Sequence, residues 1–258
     1  LGSRHDANGI PMKLAVVIPA YNEAATIADV AARARRQCER VIVVDDGSGD
    51  GTCERLSGLD IDVLRNASNM GKAASIWRGA QHALADGADA VITLDGDGQH
   101  SPEDIPRLLE AARTHPNHII IAARLRNRAS TPPLRLFANR CANFWISWAA
   151  GHRISDSQSG FRLYPAAIFR RQRAPRRVSD SFVFESEVLI DAARSGHYTM
   201  AVEIEAVYSN AARESHYRPA RDTLLIIRMV AWKLVAYGLY PQGLLRSLNV
   251  LPLPGARR

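Results

Sequence analysis

Short apolar runs recur through the first half of the chain, each closed by a polar or glycine-rich stretch. Leu14-Ala15-Val16-Val17-Ile18 ends at Pro19, and Val41-Ile42-Val43-Val44 ends at Asp45-Asp46-Gly47-Ser48. Asp62-Val63-Leu64-Arg65 is a weaker run, Ala90-Val91-Ile92-Thr93-Leu94 ends at Asp95, and His118-Ile119-Ile120-Ile121-Ala122 is the fifth. These runs are continuous rather than alternating, as expected of strands covered on both faces. Between them lie helical stretches over residues 23–36, from Asn69-Met70-Gly71-Lys72 to about 86, and over 102–114, the last with Ser101 as cap and Pro102 at its first position. Strands alternating with helices predict an α/β fold: an open, mostly parallel central sheet with helices on both faces.

The second half changes character. Residues 124–133 are basic and end in proline, which predicts a loop. A helix is expected over 134–150, a turn then a strand over 155–164, a helix over 182–194 and a strand over 198–208. A charged loop at 211–219 precedes a long helix over 220–238 and a proline-containing tail. The division that follows is a tail at 1–12, one domain at 13–217, and a C-terminal amphipathic helix and tail at 218–258.

Composition narrows the class. An apolar fraction of 47% over 258 residues supports a packed core. The net charge of +7 could serve nucleic acid, an anionic membrane surface or phosphorylated substrates, and of these no nucleic-acid partner is expected. Three scattered cysteines, Cys38, Cys53 and Cys141, form neither a disulfide framework nor a zinc pattern and point to a reducing compartment. Residues 1–11 read as a loose tail or expression remnant rather than a secretory leader. No run reaches the ~20 apolar residues of a spanning helix.

In open α/β sheets ligands bind beyond the carboxyl ends of the strands. Tyr21 and Glu23, Asp45 and Asp46, Asp95 and Asp97, and Arg124 are all expected there. Asp95-Gly96-Asp97 places two carboxylates one residue apart, able to share a side of extended chain. A divalent cation would relieve their repulsion, with Gln99 adding an oxygen and Gly96 and Gly98 leaving room for a ligand. Read alone, the same stretch is equally a polar turn before a helix. Asp46 can accept from a base or a ribose, and Lys72 at a helix start can meet phosphate. Both are also ordinary turn and cap residues. No Gly-x-Gly-x-x-Gly follows the first strand, which argues against a dinucleotide enzyme. Of the clustered Arg124, Arg126, Arg128, Arg135 and Arg140, Arg124 directly follows a strand at the ligand edge. His100 adjoins the carboxylates, His216 is a possible substrate contact, and the other histidines are expected at the surface. The helices at 134–150 and 220–238 read either as core or as an interfacial pair on an anionic membrane.

Taken together, Val17-Ile18-Pro19-Ala20-Tyr21-Asn22-Glu23, Val44-Asp45-Asp46-Gly47-Ser48, Asn69-x-Gly71-Lys72, Asp95-Gly96-Asp97-Gly98-Gln99-His100 and Ser159-Gly160-Phe161-Arg162 resemble a family 2 glycosyltransferase of GT-A (Rossmann-like) fold. Within it the chain is most similar to dolichyl-phosphate mannosyltransferases and related polyprenyl-phosphate glycosyltransferases. The resemblance implies that Pro19, Ala20, Tyr21, Glu23, Val44 and Asp46 line a nucleotide pocket. It implies that Asp95, Asp97 and Gln99 hold Mg2+ or Mn2+ against the diphosphate, with Gly96 in backbone contact. Lys72 would join the nucleotide-sugar site, and Asp97 and Arg124 would be catalytic. Arg124, with Arg135 or Arg140, would receive an acceptor phosphate, and Arg162, Arg213 and His216 would close over donor and acceptor.

The implied activity is metal-dependent, inverting transfer of a mannose- or glucose-type sugar from a GDP- or UDP-linked donor to a polyprenyl phosphate. A hydroxyl of a lipid or glycan is the alternative acceptor, and it would need a base such as Glu185 or Glu187. Nucleotidyl transfer is a further alternative, disfavoured by the loop after the first strand. The expected location is peripheral, on the cytoplasmic face of a membrane.

Overall fold

The computed structural model describes residues 12–123, 133–171, 181–205 and 219–254, although some side chains at the ends of three helices lie outside that description. Seven strands form one sheet: β1 (Leu14–Ala20), β2 (Val41–Asp45), β3 (Asp62–Arg65), β4 (Ala90–Thr93), β5 (Ile119–Ala123), β6 (Arg162–Pro165) and β7 (Thr199–Glu203). Their spatial order is β3-β2-β1-β4-β6-β5-β7. All neighbours are parallel except β6, which runs antiparallel to both β4 and β5.

The continuous apolar runs divide between two cores by simple alternation. Ala15, Val17, Ile42, Val44 and Val91 face one side, where helices α2 (Lys72–Ala85), α4 (Pro133–Ala150), α6 (Ser181–Arg194) and α7 (Pro219–Ala236) pack. Val16, Ile18, Val43, Ile92 and Leu94 face α1 (Ile27–Gln37) and α3 (Ile105–Thr114) on the other.

Several boundaries move for local reasons. β1 continues through Pro19, which pairs with Val44. Pairing with β4 ends at Val17, so the side towards which Pro19 would have pointed an N–H needs no donor. Helix α1 starts at Ile27 rather than near Glu23. The intervening loop passes through Asn22 at φ 56° and is tied down by Ser48 Oγ to Asn22 N (2.9 Å) and Thr52 Oγ1 to Glu23 N (2.8 Å). Residues 102–104 form a 3-10 turn before α3, and the Ser101 hydroxyl donates to Glu103 instead of capping.

Two short helices escape the sequence pattern: α5 (Ala166–Arg171) and α8 (Pro241–Ser247). The latter forms in the proline-containing tail and packs on α4. Tyr240 sits where a Cβ on Gly151 or Gly243 would collide with its ring, and the Trp148 indole donates to the Leu239 and Tyr240 carbonyls at 3.1 Å.

Candidate active site

The alternation that sends Val91 and Thr93 to the α2/α6 face sends Asp95 there as well. Its Oδ1 lies 2.7 Å from Lys72 Nζ at the start of α2. The same ammonium lies 2.9 Å from Oε1 of Glu185 on α6. Burial works against the Lys72 charge, but Asp95 and Glu185 overcome it and hold the amine well above its ordinary pKa. Gly160 covers this trio: a Cβ there would stand 2.5 Å from Asp95 Oδ2 and 2.8 Å from Lys72 Nζ. Thr93 Oγ1 fixes that backbone by donating to Gly160 O at 2.7 Å. Gly160, quoted above only as part of a motif, is thus the glycine that lets a loop close over the carboxylate.

The Asp95-Gly96-Asp97 turn is itself rigid. Thr26 Oγ1 donates to Gly96 O at 2.7 Å, and Gln99 N donates to Asp97 Oδ1 at 3.0 Å. Gly96 and Gly98 do not make room for a ligand. A Cβ on Gly96 would meet Ile27 and the Pro19 carbonyl, and Gly98 has φ +73° beside Thr26 and Val30. Gly96 serves packing against β1 and α1, whereas Gly98 supplies a left-handed backbone angle. The donor set still fits a hard divalent cation: two carboxylates at a strand end, one of which already attracts an ammonium.

The expected nucleotide pocket is divided. Tyr21, Asn22, Glu23, Gly47, Gly49 and Asp50 line a cleft of about 810 Å3. Pro19 and Ala20 are buried and do not line it. Val44 is a correction: it is fully buried and faces α2, where a Cβ on Gly79 would come within 3.0 Å of it. Asp46 is also buried and accepts from Asn66 Nδ2 (2.7 Å), Met70 N (2.8 Å) and Gly71 N (2.8 Å). It organises the Asn69–Gly71 loop that launches Lys72. Of the roughly four acceptor positions of a carboxylate, three are engaged. Asn66, not singled out in the sequence, completes this knot by also donating to Ser75 Oγ at 3.1 Å.

Arg162 corrects another expectation. It is fully buried and donates to the carbonyls of Ser159 (2.7 Å), Ser157 (2.8 Å) and Glu185 (3.0 Å) and to the Tyr164 hydroxyl (3.1 Å). It braces the 157–160 loop and α6 from beneath, with its guanidinium enclosed by the protein. His100 is buried edge-on to Phe161, with centroids 5.5 Å apart. Nor are the other histidines all at the surface: His152 is buried, with Nε2 accepting from Thr199 N at 3.0 Å. Glu187, two residues from Glu185, points elsewhere and pairs with Lys233 on α7 at 3.0 Å. Arg140 is exposed on α4. Arg124, Arg213, His216 and the side chain of Arg135 lie outside the described residues.

A second acidic cluster, Asp62, His82 and Asp86, has the spacing of a metal site. Its centre is occupied by Arg40, whose Nη2 is 2.8 Å from Asp62, 3.4 Å from His82 Nε2 and paired with Asp86.

The glycosyl transferase family 2 model matches residues 15–174, which span β1 to α5 and contain the Asp95–Asp97 turn, Lys72 and Gly160. The chain belongs to glycosyl transferase family 2. It is 25% identical over 236 residues to a UDP-N-acetylglucosamine–dolichyl-phosphate N-acetylglucosaminyltransferase of Methanococcus voltae, covering 82% of this chain and 90% of that one. It is 28% identical over 200 residues to a polyprenol monophosphomannose synthase of Mycolicibacterium smegmatis, covering 73% and 75%. The fold matches glucosyl-3-phosphoglycerate synthase of Mycobacterium tuberculosis, whose structure holds Mg2+ and UDP. The TM-score is 0.64 at 21% identity, over 86% of this chain and 79% of that one. This family 2 glycosyltransferase therefore has the GT-A-type α/β fold.

Proposed function

We propose that this glycosyltransferase moves a sugar from a GDP- or UDP-linked donor to a polyprenyl phosphate, with Mg2+ or Mn2+ held by Asp95 and Asp97 and Gln99 alongside. The observation that carries the acceptor is the engagement of both candidate bases. Glu185 is buried against Lys72, and Glu187 is paired with Lys233. A hydroxyl acceptor needs a base, whereas a lipid phosphate with a second pKa near ~6 arrives ionised. The names of the relatives agree with a lipid-phosphate acceptor.

In this reading the Tyr21–Glu23 loop, Gly47 and Asp50 seat the nucleoside. Asp46 and Asn66 set the loop that presents Lys72 to the diphosphate. A phosphate oxygen attacks the anomeric carbon from the face opposite the diphosphate, the anomeric C–O bond breaks, and its electron pair leaves with the nucleoside diphosphate. The cation, when bound, would stabilise that departing charge. Arg140 is one helical turn from Asn143, whose amide holds the Ser155 carbonyl (2.9 Å) and the Ser157 N–H (2.9 Å). It therefore lies beside the loop that covers Asp95, a suitable place for an arginine that receives the acceptor phosphate. Arg124, Arg135, Arg213 and His216 remain proposed partners in acceptor binding and closure.

Among the described residues no helix is long and apolar enough to cross a membrane. Phe137 and Trp145 on α4, Ile227, Trp232 and Val235 on α7, and Leu248 after α8 are nevertheless exposed, Trp232 by 72%. That surface suits peripheral attachment to an anionic membrane on the cytoplasmic side, where a lipid acceptor would reside. The test is a panel of labelled nucleotide sugars with a short polyprenyl phosphate and Mg2+ or Mn2+, beside Asp97→Ala. An organic-extractable sugar product that is lost in the variant is expected. Sugar transfer only to hydroxyl acceptors would overturn the proposed acceptor.

A further inference from the structure

The ion pair that engages Asp95 has a second consequence. Lys72 Nζ sits 2.7 Å from Asp95 and 2.9 Å from Glu185, between a carboxylate proposed to bind metal and one that is not. The exposures grade inward: 27% for the Lys72 side chain, 24% for Asp95 and 9% for Glu185. The Gly160 backbone closes over the Asp95–Lys72 contact, so a cation approaching Asp95 meets an ammonium already in place. Two cations cannot share one carboxylate edge at such distances without strong repulsion. A lysine on its flexible four-carbon stem can yield, whereas a planar guanidinium locked to carbonyls, like Arg162, cannot. Glu185 provides the place to yield to. Among the described residues the other cation near its carboxylate is Arg162, 3.9 Å away.

We infer that Lys72 is a resident counter-cation of the Asp95–Asp97 site, displaced from Asp95 when a metal ion enters. Glu185 is then a positioning residue that retains the displaced ammonium and sets how tightly the site takes a cation. This rests on the proposal that Asp95 and Asp97 bind metal, and it assigns Glu185 a role other than that of a base.

The test is Mn2+ titration of the full chain without nucleotide, read by the electron paramagnetic resonance of free Mn2+. Lys72→Met removes the competitor and is expected to tighten Mn2+ binding, roughly two- to fivefold for one partly exposed ion pair. Glu185→Gln leaves Lys72 with Asp95 alone and is expected to weaken binding by a similar factor. Thermal melts establish that each variant is folded, with Lys72→Gln as the substitute if Lys72→Met is not. Opposite shifts support the exchange. Unchanged affinity, or shifts in the same direction, overturns it while the metal site stands. A wild-type protein with no Asp97-dependent Mn2+ binding, alone or with UDP or GDP, overturns the metal site and the exchange together.

Discussion

The sheet carries a cation held between carboxylates at each of its ends, and the two differ in use. At the amino ends of the strands Arg40 is gripped by Asp62 and Asp86 with His82 alongside, all partly exposed. At the carboxyl ends Lys72 is gripped by Asp95 and Glu185 under the Gly160 backbone. The ligand-like spacing of the first group is taken up by an arginine whose Nη2 reaches all three side chains. The second sits where open α/β sheets bind ligands and is built around a cation that can move. A cluster of carboxylates therefore gains meaning from its place in the topology and from what already occupies it.

The sharpest way to break the comparison is to remove the brace beneath the carboxyl-end cluster. Arg162→Ala removes a buried donor from three carbonyls and leaves Glu185 with less compensation. The expected cost is about 3–5 kcal/mol of stability by denaturant unfolding, since buried acceptors worth about 1–3 kcal/mol each lose a charged donor. A near-neutral result would show that the loop over Asp95 does not depend on Arg162.

A somewhat smaller effect is expected at the other end of the sheet. Burial lowers the His152 pKa to about 4, with the Ala150 backbone opposing and nearby His118 adding to the depression. The unfolded chain binds a proton near pH 6.5 that the folded protein resists until about pH 4. Stability should therefore fall as pH drops through that window, by up to about 3 kcal/mol, with no dependence on this group above it. His152→Gln, compared with wild type in urea melts from pH 7 to 4, should flatten that slope.

The smallest effect is expected from Arg40→Ala. Its partners are exposed enough that the change should lie within about 1 kcal/mol, and Mn2+ affinity should be unaltered. An altered affinity would mean that the two ends communicate.

How much of this was legible follows from the range of the interactions. The strands of the first half were readable because both faces are buried, which makes β-branched runs continuous. The position of Asp95 and Asp97 at the ligand edge followed from the strand that ends there. Short α5 and α8 lack a periodic pattern long enough to read, and α8 depends on Tyr240 packing between two glycines. Which of Glu185 and Glu187 faces the site is a rotation of about 200° on one helix, settled by partners far away in sequence. Val44 and Arg162 belong to motifs that point to a pocket, but alternation turns the first into the core. The second is buried by a loop whose path no local signal specifies.

The central claim is that the Asp95–Asp97 turn takes a nucleoside diphosphate through a divalent cation. Calorimetric titration of UDP and GDP, with and without Mn2+, tests it most directly in wild type and in Asp97→Ala. One of the two nucleotides should bind wild type at least about tenfold more tightly with the metal, and the variant should lose that gain. Equal affinity with and without Mn2+, or a metal effect that survives Asp97→Ala, would contradict the account.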